Sequence, residues 1–89
     1  MELTEARKKI DEIDRALISL FRERMDVAAE IARYKKENGL PVLDRTREEQ
    51  KLDDISAQLP ESLAGYGREL YETIFSLSRA YQESVLKES

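Results

Sequence analysis

From Leu3 to Asn38 the chain contains neither glycine nor proline, and Ala, Leu, Ile, Glu, Lys and Arg dominate the stretch. These are mostly good helix formers, so the segment reads as one long helix. At about 1.5 Å per residue it is a rod of roughly 50 Å, longer than an 89-residue globule is wide. Its apolar positions Leu3, Ala6, Ile10, Ile13, Leu17, Leu20, Val27, Ile31 and Tyr34 alternate at three-and-four spacing, which makes a packing seam. The remaining 50 or so residues cannot cover a seam of that length. The economical solution is a homodimer in which two long helices pair and six helices share one core.

The rest of the chain is punctuated simply. Asn38 and Gly39 suit a left-handed C-cap, and Pro41 prevents the first helix from continuing. Either Asp44 or Thr46, the latter with Glu49 in a capping box, can start a second helix that Pro60 ends. Ser62, Gly65 and Gly67 make residues 61–67 read as a connector before a third helix. The expected elements are helices over about 3–38, 45–59 and 67–87 of a single all-α domain, a three-helix protomer with one very long N-terminal helix.

With 40% hydrophobic and 38% charged residues the chain is too apolar for disorder, and three glycines and two prolines are too few for a many-stranded β fold. It has no cysteine and no histidine, which removes disulfides, thiolate nucleophiles, imidazole bases and the usual zinc or haem ligands. A net charge of −4 argues against nucleic acid as partner. No apolar run approaches the roughly 18 residues of a membrane span and the N-terminus lacks a signal-peptide pattern, so a soluble cytoplasmic protein is expected.

Two places break the apolar pattern. Arg24 stands where the seam wants an apolar residue, and a buried guanidinium needs an anion. It can snorkel out or pair with Glu23 or Glu30. However, Lys35 lies eleven positions on, three turns and about 20° round, so both cations project from one face about 16 Å apart. Arg7 is about 100° round and about 25 Å away, and can serve only a neighbouring chain's pocket. On the third helix the face of Leu70, Tyr71, Ile74, Phe75, Leu77, Tyr81 and Val85 also holds Ser78 and Gln82, one turn apart. A serine bonded back along its helix and a glutamine at the edge of the face are the plainer reading. At the start of the second helix Asp44, Arg47 and Glu48 fall within one turn, where capping and macrodipole effects alone explain the acids. Together these residues suit a pocket for a small dianion, without a nucleophile, acting by positioning and electrostatics.

In order along the chain stand Arg7 within Ala-Arg-Lys-Lys-Ile-Asp-Glu-Ile-Asp, Arg24 closing Leu-Phe-Arg-Glu-Arg, Lys35 before Gly-Leu-Pro-Val, Asp-Arg-Thr-Arg-Glu from Asp44, and Ser78 with Gln82. This pattern resembles the all-α chorismate mutases of the AroQ class, over essentially the whole chain. The resemblance implies an intertwined six-helix homodimer that rearranges chorismate to prephenate in the shikimate pathway toward phenylalanine and tyrosine, with no cofactor, metal or covalent intermediate. It further implies that Arg24 and the partner's Arg7 hold the two substrate carboxylates, with Arg47 and Ser78 lining the pocket nearby. Lys35 and Gln82 would flank the ether oxygen, and Glu48, helped by the Asp44 region, would receive the ring hydroxyl. The resemblance leaves open whether the chain acts alone or within a larger fusion protein.

Two other readings compete. An isochorismate pyruvate lyase shares the scaffold and the cationic pocket, although Glu48 and Ser78 look more like the mutase. A noncatalytic helical dimerisation module would keep Arg24 only to specify register. Because Gln82 cannot ionise and no histidine is present, mutase activity should not collapse between about pH 6 and pH 8. A pH–rate profile of the purified protein checks this, and a sharp fall across that window would contradict it.

Overall fold

The computed structural model describes residues 1–88. It contains three helices, α1 (Leu3–Glu37), α2 (Arg45–Gln58) and α3 (Glu61–Glu88), and no strand among the described residues. The protein is a flat, elongated body of 53 × 28 × 14 Å, its long dimension set by α1. Its radius of gyration is 16.2 Å, against about 12 Å for a compact domain of this length. Helix α3 lies between the others and packs on both, while α1 and α2 do not pack on each other.

Helix α1 ends as its sequence dictates. Asn38 is the C-cap and Gly39 follows at φ +65°, the left-handed conformation that a side chain resists. Gly39 N–H donates to the Lys36 carbonyl and Leu40 N–H to the Lys35 carbonyl, which is a Schellman closure. At the start of α2 the cap is Asp44, whose Oδ1 accepts from Arg47 N–H at 3.0 Å. Thr46 lies inside the helix instead, so it does not begin the capping box its spacing with Glu49 allowed.

The expected connector over 61–67 is helical, and α3 begins at Glu61 immediately after Pro60. The Pro60 carbonyl accepts from the N–H groups of Leu63 and Ala64, so the proline starts the helix. Gly65 and Gly67 therefore sit inside a helix. Gly67 is there for space: a Cβ would run into the Leu59 side chain and meet Ile55 at 3.4 Å. It makes room for the side chains at the end of α2, whereas Gly65 faces open space.

The interior of the chain is small. On α1 the buried residues are Ala28, Ala29 and Ala32, short side chains that let α3 approach closely, and Ile55, Phe75 and Val85 complete the apolar set. The predicted seam lies mostly outside it: Ile10, Ile13, Leu17 and Leu20 are each more than half exposed, as are Leu3 and Tyr34. On α3, Leu70 and Leu77 are exposed as well. So much contiguous apolar surface is abnormal for a chain that stays alone.

The two helical glycines separate propensity from packing. Gly65→Ala should stabilise the protein by about 0.5–1 kcal/mol. Gly67→Ala should gain less or lose, because Leu59 must leave its rotamer at a cost of about 0.5–1.5 kcal/mol. Urea denaturation of both variants at one fixed protein concentration measures the difference.

Candidate active site

Helices α1 and α2 flank α3 and leave a trough between them that reaches the turn joining α1 to α2. It forms a cavity of about 490 Å³, within the range of about 300–1,000 Å³ usual for small-molecule sites. Helix α1 contributes Arg24, Val27, Ala28, Ile31 and Lys35, and the turn contributes Val42 and Asp44. Helix α2 adds Arg47, Glu48 and Lys51, and α3 forms the floor with Phe75, Ser78, Arg79 and Gln82. Five cations thus face one cavity against two carboxylates, in a chain whose net charge is −4.

Arg24, Lys35 and Arg47 reach the cavity in different ways. The Arg24 guanidinium lies 5.7 Å from the centre of the Phe75 ring, a cation–π arrangement at the cavity wall. No carboxylate pairs with it among the described residues, so neither Glu23 nor Glu30 plays the part their proximity allowed. Lys35 Nζ donates to the Val42 carbonyl at 3.0 Å, which ties the end of α1 to the turn below it. An ammonium has three donors, so two remain for a ligand. Arg47 sits in the first turn of α2, its backbone N–H taken by Asp44 and its side chain at the cavity wall.

Ser78 and Gln82 are both buried, 7% exposed each, in the floor. Gln82 Nε2 donates to Ser78 Oγ at 3.0 Å, and Gln82 Oε1 has no partner. The hydroxyl can donate as well as accept, so turning the amide over would let Oε1 take the Ser78 proton and leave the NH₂ unpartnered. In either orientation one end of a buried amide is reserved for something that enters the cavity.

Residues 6–83 match the family described as chorismate mutase type II, nearly the full length of the chain. The chain belongs to this family. It is 32% identical over 90 residues to a chorismate mutase of Methanocaldococcus jannaschii, covering 99% of this chain and 91% of that protein. It is also 32% identical over 87 residues to the T-protein of Haemophilus influenzae, of which it spans only 22%. Among solved structures, form II chorismate mutase of Thermus thermophilus superposes with a TM-score of 0.87 at 33% identity, covering 91% of this chain and 93% of that one. No helix among the described residues is long and apolar enough to cross a membrane.

The cavity thus gathers Arg24, Lys35, Asp44, Arg47, Glu48, Ser78 and Gln82, every residue that sequence reasoning placed in the site except one. Arg7 lies exposed on α1, seventeen positions before Arg24 and away from this cavity. Sequence reasoning missed Lys51 and Arg79, together with the apolar wall of Val27, Ala28, Ile31, Val42 and Phe75. Lys51 was accessible to it, since it follows Arg47 by four positions on one helix face. Arg79 was not: its partner is Glu48, 31 positions away.

Ser78 supports the amide directly. Ser78→Ala should destabilise by about 1–3 kcal/mol by leaving Gln82 with neither end satisfied. Adding Gln82→Leu should cost less than the sum of the single changes, because a pair removed together strands no partner. Urea unfolding of the two single variants and the double variant tests this.

Proposed function

We propose that this protein, as a soluble cytoplasmic enzyme, converts chorismate to prephenate in the formation of phenylalanine and tyrosine. The observation that carries the reading is a cavity with five cations and a half-satisfied buried amide, on a chain that has no histidine or cysteine. That set suits a reaction whose electrons move only within the substrate. In the [3,3] rearrangement one C–O bond breaks as one C–C bond forms, so neither cofactor nor metal is needed.

The roles follow from the donors. Arg24 holds one substrate carboxylate, and Arg7 of a second copy holds the other, with Arg47 and Ser78 lining the pocket near them. Clamping both carboxylates folds the enolpyruvyl arm over the ring, which removes most of the conformational search before the bond forms. Lys35 and the Gln82 amide, turned so that its NH₂ faces the cavity, flank the ether oxygen. Negative charge grows there as the C–O bond stretches, so these donors stabilise the transition state more than the substrate. Glu48, with Asp44 beside it, accepts the ring hydroxyl.

This reading makes the active unit a homodimer. The exposed seam of Ile10, Ile13, Leu17 and Leu20 supplies its interface, each such side chain gaining about 1.5–3 kcal/mol on full burial. An arginine stranded on the seam's N-terminal half, as Arg7 is, then has a site to serve.

Purified protein should consume chorismate, followed by its near-ultraviolet absorbance, and form prephenate with or without a chelator. Lys35→Ala should lower kcat by on the order of 10²–10³ with the helical circular dichroism kept. Arg7→Ala and Arg24→Leu should each be nearly inactive, yet unfolding and refolding them together should restore roughly a quarter of wild-type activity, since half the dimers are mixed and each has one intact site. Pyruvate release from isochorismate with chorismate untouched would instead assign the lyase, and failure of the mixture to recover would remove Arg7 from the site.

A further inference from the structure

Arg79 and Glu48 form the only ion pair in the cavity wall among the described residues. Arg79 Nη1 donates to both oxygens of the Glu48 carboxylate, at 2.5 and 2.6 Å, joining α3 to α2. Both side chains are half-buried. A second hollow, of about 320 Å³, lies against the same two residues and is lined also by Leu43, Arg45 and Leu52. The pair is thus a thin partition with open space on each side, and packing alone does not hold Glu48 in place.

Glu48 needs holding. It follows Arg47 by one position and precedes Lys51 by three, and across the cavity stand Arg24 and Lys35. A glutamate with a free side chain in that field would turn toward whichever cation it could reach and occupy a position meant for the substrate's own anions. Donation from one nitrogen to both oxygens holds the carboxylate toward α3 instead. It uses two of about four lone-pair sites and leaves the others for a hydroxyl.

We propose that Arg79 is a positioning residue for substrate binding: by gripping Glu48 it presents that carboxylate to the ring hydroxyl in one orientation and keeps it off the cations that take the substrate's carboxylates. This rests on the reading of Glu48 and the cations given under Proposed function. It differs from a simple clamp between α2 and α3, which would act on stability and be indifferent to what Glu48 does in the cavity.

The test is a kinetic cycle of Arg79→Met, Glu48→Gln and the double variant, with Arg79→Lys as the conservative change and chorismate as substrate. Arg79→Met should raise KM roughly tenfold or more, with a smaller effect on kcat, because the released carboxylate competes with the substrate. In the Glu48→Gln background the same change should leave KM almost unmoved, since a neutral amide does not compete for cations. Arg79→Lys should keep most of the wild-type KM, as an ammonium still pairs with Glu48. Thermal melts verify that each variant is folded, and Arg79→Gln replaces Arg79→Met if the latter is not. An unchanged KM in Arg79→Met, or equal increases in both backgrounds, overturns the proposal while leaving mutase function intact. A wild type that does not consume chorismate overturns both.

Discussion

The structure depends on a helix that outruns its own chain. Helix α1 has 35 residues, and its own chain buries three alanines near its C-terminal end. Before Arg24 the seam's large apolar side chains lie open to solvent, a state whose natural remedy is a second copy. The polar insertion at Arg24 falls where α1 passes from its exposed N-terminal stretch to the alanine face buried in its own chain, so the cation lines the trough and escapes full burial. A fully buried unpaired guanidinium would be prohibitively costly. At this boundary it rests on the Phe75 ring and keeps its donors available.

Charge is distributed as sharply as apolarity. A chain of net charge −4 places five cations around one cavity and leaves most of its acids elsewhere. The long-range field does little to draw in a dianion, since exposed charges are screened beyond about 8–10 Å at ordinary ionic strength. Selection for anions is therefore local, made where the trough lowers the effective dielectric and the cations converge. The two carboxylates inside are each tied down, Asp44 by capping α2 and Glu48 by Arg79, so neither is free to fold back across the donors.

Much of this was legible in the sequence because it is carried by short-range rules. A stretch without glycine or proline fixed α1, and 100° per residue put Arg24 and Lys35 on one face. The start of α3 was not legible, because Gly65 and Gly67 look like turn residues until Leu59 is seen pressing against Gly67. Local punctuation cannot distinguish a glycine that bends the backbone from one that makes room for a neighbour. Arg79 was hidden for a related reason: nothing beside it in sequence announces Glu48, and only the antiparallel course of α2 along α3 brings them together. The exposed seam shows the reverse case, a pattern plain in the sequence whose partner lies outside a single chain.

The hydrogen bond from Lys35 to the Val42 carbonyl makes the joint between α1 and α2 part of the cavity. Surface turns ordinarily drift in length, since closing a somewhat longer loop costs only a few tenths of a kcal/mol. Here the Gly39 closure fixes one side of the turn, the Asp44 cap fixes the other, and the ammonium is moored midway between them. With α1 and α2 each packed on α3 and not on each other, this turn is the direct chain link between their two groups of cations. One residue added or removed there would alter the gauge between the donors, so the stretch from Leu40 to Leu43 behaves as a measured spacer held between two ends that Gly39 and Asp44 fix.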